Sequence, residues 1–136
     1  MYKLILFILI TVSSNSTTRL EGLWIKDSKD LIINVYRYKN SFRGKIHWFK
    51  DENSTKRKYD NGLNKDEWLD RDVLFDFEPV AENKWHGKIF NPKTGNIYDA
   101  YLQITENNVV IVNPYIIVPI IGEKLIFYKY NKNNYK

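Results

Sequence analysis

Two histidines and one run of carboxylates are the side chains best suited to chemistry in this chain. His47 lies in the stretch Phe42-Arg43-Gly44-Lys45-Ile46-His47-Trp48, and His86 sits in Trp85-His86-Gly87-Lys88-Ile89. Both fall on the polar side of an alternating segment. A metal centre needs three or four converging ligands. Neither histidine has a second histidine or a set of carboxylates at ligand spacing, so both read as surface residues, with no metal and no cofactor expected. Carboxylates gather at Asp60, Asp66, Glu67, Asp70 and Asp72. Such groups suit acid–base work or a hard cation. Their spacing matches no calcium loop, and Lys65 and Arg71 partly neutralise them, which favours a solvated loop face.

Nucleophilic chemistry finds little support. The chain has no cysteine, which removes thiol catalysis, disulfides and cysteine zinc sites. Ser54 is the single serine after Ser41, and there is neither a G-x-S-x-G elbow nor a phosphate loop. No catalytic residue is predicted. An enzyme using carboxylates, or Tyr98 and Tyr101, on a sugar or lipid is the weakest of three functional readings.

The elements that would position these residues alternate with period two, which is the strand signal. Leu31 to Tyr38 is rich in β-branched and aromatic residues, and Asn40-Ser41 follows as a turn. In Phe42 to Phe49 the residues Phe42, Gly44, Ile46 and Trp48 share one face. Val73, Phe75 and Phe77 alternate against Leu74, Asp76 and Glu78, and Asp76 and Glu78 read as solvent-exposed. Trp85, Gly87 and Ile89 face one way, His86 and Lys88 the other. Ile97 to Ile104 and Val109 to Asn113 form a further pair, and Glu123 to Tyr130 ends the series. With a short strand at Leu23 to Lys26 the count is about eight.

Turn chemistry supports hairpins. Asn91-Pro92-Lys93-Thr94-Gly95 has an Asn initiator, a fixed-φ proline and a glycine suited to positive φ. Only Lys50 to Asp72 lacks alternation; it is long and charged, with one helical turn expected around Lys65 to Leu69. Loops of that length are commonly functional. The predicted fold is all-β, an eight-stranded antiparallel up-and-down barrel. Such a barrel is wide enough for side chains or one small ligand. Gly44 and Gly87 lie on apolar faces, where glycine permits bending or close approach.

The N-terminus has Lys3, then a nine-residue apolar run from Leu4 to Val12 that includes Thr11, then Val12-Ser13-Ser14. This is the layout of a secretory signal peptide. It is too short for a stable membrane span, which needs about 20 residues. The expected organisation is a signal peptide at 1–14, a polar leader at 15–19, one barrel domain at 20–130 and a polar tail at 131–136, with export to a periplasmic or extracellular space. The 136 residues suit one domain, and ten Tyr, seven Phe and four Trp are ample core material. The net charge of +5 mixes 21 basic with 16 acidic residues. Lys56-Arg57-Lys58 is flanked by Asp51-Glu52 and Asp60, so no nucleic-acid partner is expected.

Several of these pieces resemble DUF2147, a family of small exported bacterial proteins of unknown function. They are Gly22-x-Trp24, the Gly44-Lys45-Ile46 strand, and Trp85-x-Gly87-Lys88-Ile89-Phe90-Asn91-Pro92-x-x-Gly95-x-x-Tyr98. Val110-x-Val112-x-x-Tyr115-Ile116 and Gly122 complete the set. The resemblance spans about residues 20 to 130. Gly22-x-Trp24 is also similar to the first-strand signature of lipocalins, where the Trp closes one barrel end. The resemblance therefore implies a lipocalin-like barrel. Asn113-Pro114 stands where the family tends to have Arg-Gly, and Phe127 where it has Trp.

Aromatic residues carry the remaining signal. Alternation sends Phe42, Trp48, Phe75, Phe77, Trp85 and Phe127 inward, where they either fill a core or line a cavity for a small apolar ligand. Pro114 to Ile121 is apolar and bracketed by proline, which argues against a central strand. It reads as a loop over one barrel end or as a contact patch. The leading reading is a non-enzymatic barrel that binds a small apolar or amphipathic ligand. The alternative is a cell-envelope scaffold working through the 50–72 loop or the 114–121 segment.

Overall fold

A computed structural model describes residues 19–50, 65–92, 94–115 and 124–134. The strands are β1 (Gly22–Lys26), β2 (Leu31–Tyr38), β3 (Ser41–Phe49), β4 (Asp72–Ala81), β5 (Lys84–Asn91), β6 (Asn96–Ile104), β7 (Val109–Tyr115) and β8 (Leu125–Lys129). One helical turn, α1 (Lys65–Trp68), precedes β4, within the 65–69 stretch where a turn is predicted. Each strand pairs antiparallel with the next and β8 pairs with β1, closing the predicted up-and-down barrel. Among the described strands, closure leaves none with a wholly free edge.

Local chemistry sets the hairpins. Lys39, Asn83 and Asn108 adopt left-handed φ values of 55°, 56° and 59° at the β2–β3, β4–β5 and β6–β7 turns. Such residues match the twist of paired strands, and Asn tolerates this conformation well. Gly95 takes φ 74° between β5 and β6, and its N–H donates to the Asn91 carbonyl at 2.8 Å.

Strict alternation fails in β3 and β4. Ile33 pairs with Ile46, but Ile32 pairs with Trp48, so His47 is an extra residue. A bulge of this kind reverses the facing of the residues beyond it. Trp48 therefore points outward, 38% exposed, while Phe49 turns into the core. In β4 the pairs Phe75–Lys88 and Glu78–His86 span three residues against two. Asp76, at φ 53°, absorbs the difference. Leu74 and Phe77 are buried, while Phe75 is half-buried beneath the Arg43 guanidinium, 5.9 Å from its ring centre. The inward placement expected for Trp48 and Phe75 is thus corrected, and for one reason: each lies next to a bulge.

The two glycines on inner faces permit close packing. A Cβ on Gly44 would lie 2.7 Å from the Leu74 side chain, and one on Gly87 only 2.5 Å from the Phe75 carbonyl oxygen. Phe77 fills the space beside Gly87, its ring 2.7 Å from that position. Phe42 meets Trp85 edge to face, ring centres 6.1 Å apart. Such a pair adds about 0.5–1.5 kcal/mol beyond its area burial.

Pro114 also differs from expectation. It lies inside β7, buried and paired with Ala100. A proline is tolerated there because the β7–β8 pairing runs only from Val109 to Val112. Past Val112 that flank of β7 is unpaired among the described residues, so the missing N–H breaks no β7–β8 ladder bond. Residues 116–121 of the apolar segment, Gly122 of the family motif, residues 1–18 and most of the 50–72 loop lie outside the described residues.

Candidate functional site

The barrel has two unlike ends. At one end stand the short β2–β3, β4–β5 and β6–β7 turns and the chain entry at Arg19 and Leu20. Here Trp24 is fully buried, and its indole N–H donates to the Leu20 carbonyl at 2.8 Å. The Lys129 ammonium lies 4.8 Å from the Trp24 ring centre and donates to the Glu21 carbonyl at 2.7 Å. Burial holds the Lys129 amine below its ordinary range. Arg19 reaches across to the Asn108 side chain at 2.9 Å and the Thr105 carbonyl at 3.0 Å. Leu102, Ile104 and Val110 beneath are 2% exposed or less. This end is shut by side chains, with Trp24 in the closing position that its Gly-x-Trp context implies.

The opposite end is looser. Phe49 and Ile89 of the core are each 8% exposed, and Leu31, Tyr98 and Leu125 pack against the core while only partly buried. The β1–β2, β3–β4, β5–β6 and β7–β8 connections all leave from this end. The 50–72 loop and the 114–121 segment therefore join strands at the same rim. Trp68 of α1 is 1% exposed and stacks on Phe90, ring centres 5.8 Å apart. The segment before β4 is tied to β3: Asp70 N–H donates to the Ile46 carbonyl and Ile46 N–H to the Arg71 carbonyl, at 2.8 and 2.9 Å. Sequence periodicity missed Trp68. The signal available was the Trp68-Leu69 pair inside an otherwise charged stretch.

The residues read as ligand-lining separate into two sets. Phe42, Phe77, Trp85 and Phe127 are inside, each 5% exposed or less. Trp48 and Phe75 are on the outer surface. The Trp85 indole N–H has no hydrogen-bond partner among the described residues. Of the carboxylate cluster, Asp70 and Glu67 are exposed, and Asp72 accepts a hydrogen bond from the Tyr36 hydroxyl at 2.6 Å. No group of three or more potential metal ligands exists among the described residues.

Two outer faces carry polar clusters. On β2–β4, Arg43 pairs with Asp76 at 3.0 Å and lies 4.0 Å from the Tyr38 ring centre. Burial, then the hydrogen bond and charge of Asp72, push the Tyr36 phenol up to about 12. On β5–β7, His86 Nε2 lies 2.9 Å from the Tyr115 hydroxyl and 3.8 Å from Asp99. Both contacts use one nitrogen, so Asp99 does not orient the ring from behind as a triad acid would. Desolvation, with Tyr101 and Asp99 nearby, holds the Tyr115 phenol above its ordinary range. That direction is opposite to an activated nucleophile.

Fold and ends together define a lipocalin-like barrel, closed by a tryptophan at one end and apolar within. HP1028, a protein from the human pathogen Helicobacter pylori described as belonging to the lipocalin family, shares this fold: the TM-score is 0.60 at 15% identity, over 85% of each chain. The chain itself belongs to DUF2147, described as uncharacterized protein conserved in bacteria, whose family model matches residues 22–129. No curated protein matches the sequence.

Proposed function

We propose that this protein is an exported, non-enzymatic barrel that takes a small apolar or amphipathic molecule at its looser end. One observation carries the reading: exposure along the interior is graded. Inward side chains at the Trp24 end are sealed, whereas Leu31, Phe49, Ile89 and Leu125 at the other end keep apolar surface within reach of solvent. Ligand sites of β-barrels lie in their mouths, with mostly apolar walls. The H. pylori neighbour adds support at the level of fold alone. Export rests on Lys3, the Leu4 to Val12 run and the small residues after it, with the mature chain beginning near Asn15. No helix among the described residues is long and apolar enough to cross a membrane.

The direct test is native mass spectrometry of protein purified gently from its host, followed by denaturing extraction. A stoichiometric adduct, released on unfolding and identified as a lipid or other apolar molecule, is expected. A mass equal to the bare chain under all gentle conditions would contradict the proposal. The convergence of the 50–72 and 114–121 connections on one rim favours a second reading, a scaffold that grips a protein partner there. Deleting residues 51–64 should then abolish partner capture while the barrel stays folded.

A further inference from the structure

The outer surface of β5, β6 and β7 carries an aromatic shelf that the mouth does not use. Register lines up Glu78, His86, Tyr101 and Asn113 across four strands, with Lys88, Asp99 and Tyr115 in the next row. Tyr101 and Tyr115 stack with ring centres 5.1 Å apart and planes 20° from parallel. The His86 ring lies 5.1 Å from Tyr101 and 6.0 Å from Tyr115. Tyr115 is 40% exposed, so the shelf ends in an aromatic ring that reaches solvent.

We propose that this shelf binds a neutral glycan, one sugar ring lying against the exposed Tyr115 ring, which Tyr101 backs. Three features select that class. Tyrosine offers an apolar face and a hydrogen-bonding tip together, which suits a ring with a C–H face and a hydroxyl rim. Donors and acceptors alternate around the rings: Lys88 and Asp99 are 3.4 Å apart, His86 bonds the Tyr115 hydroxyl, and Asn113 presents an amide. A sugar hydroxyl donates and accepts at once and is satisfied by such mixed neighbours. Charge is mixed, since Lys88 faces Asp99 and His86 faces Glu78 across the strands, and Lys84 already sits 4.6 Å from the Tyr101 ring centre. A single-stranded nucleic acid also stacks on aromatics, but it needs a positive groove along its backbone. The two carboxylates oppose that.

The outer face of a barrel is convex, so the affinity expected for one short chain is weak, on the order of 1 mM. The test is a titration of isotope-labelled protein with maltohexaose, cellohexaose and chitohexaose, followed by NMR. At least one is expected to shift signals of His86, Asp99, Tyr101 and Tyr115. Tyr115→Ala and Tyr101→Ala should each weaken it about tenfold, while Tyr115→Phe, which keeps the ring, should retain most of the binding. Three results would overturn the proposal: no shift with any of the three sugars, shifts confined to Leu31, Ile89 and Leu125 at the mouth, or equal binding by (dT)6. Binding of an apolar ligand in the mouth is a separate measurement, and its failure would leave the shelf untouched.

Discussion

The two ends of the barrel are built from similar apolar residues, yet they are finished differently. At the Trp24 end every inward side chain meets another, and the polar rim is tied down: Trp24 to Leu20, Lys129 to Glu21, Arg19 to Asn108. At the Leu31 end Trp68 is buried against Phe90, and the inward residues keep some surface. The first arrangement suits stability. The second leaves apolar area that a ligand would remove from water at roughly 25 cal/mol per Å². On the proposed function, one continuous core serves both purposes because only one end is sealed.

Truncation at the two ends should separate them most. Trp24→Ala removes a fully buried ring and a buried hydrogen bond, and should cost roughly 3–5 kcal/mol of unfolding free energy. Leu125→Ala, at a partly buried position, should cost about 1 kcal/mol. Chemical denaturation measures both, and equal losses would erase the distinction between the ends.

Gly87→Ala should have the second-largest effect. Its Cβ would strike a backbone carbonyl that cannot rotate away, so a loss of about 1–3 kcal/mol is expected. Gly44→Ala should cost less, because it meets the Leu74 side chain instead. A thermal melt of the pair gives the order.

Leu125→Glu places a charge at the mouth without entering the sealed core. Affinity for an apolar probe such as palmitate should fall about tenfold while the fold persists. Unchanged affinity would move the ligand site elsewhere.

The smallest effect concerns pH. The Tyr36 phenol rises from 10.0 to about 12 in the folded chain, through burial and its bond to Asp72. A raised folded value stabilises fully below pH 10 and is lost as pH climbs through the window from 10 to 12. Stability curves should therefore fall across that window, and Tyr36→Phe should flatten the fall.

Much of the fold is legible from alternation. The strands, their antiparallel hairpins, the αL glycine at Gly95, the helical turn near Lys65 and the inward placement of Phe42, Phe77, Trp85 and Phe127 all stem from residue type and spacing. What alternation misses is an extra residue. One bulge at His47 turns Trp48 outward, and another at Asp76 does the same to Phe75. Pro114 reads as a strand breaker until the pairing shows an unpaired flank. The His86–Tyr101–Tyr115 shelf is hidden for a different cause: its members come from three strands, and only the register brings them together. Trp68 belongs to no strand at all, so no periodicity could announce its burial.

The measurement that bears most directly on the unequal ends is methyl NMR of Leu, Ile and Val side chains during titration with palmitate. Shifts concentrated at Leu31, Ile89 and Leu125, with Leu102, Ile104 and Val110 nearly still, are the result expected. Shifts led by Leu102 and Val110, or no shift at any of the six, would contradict the account.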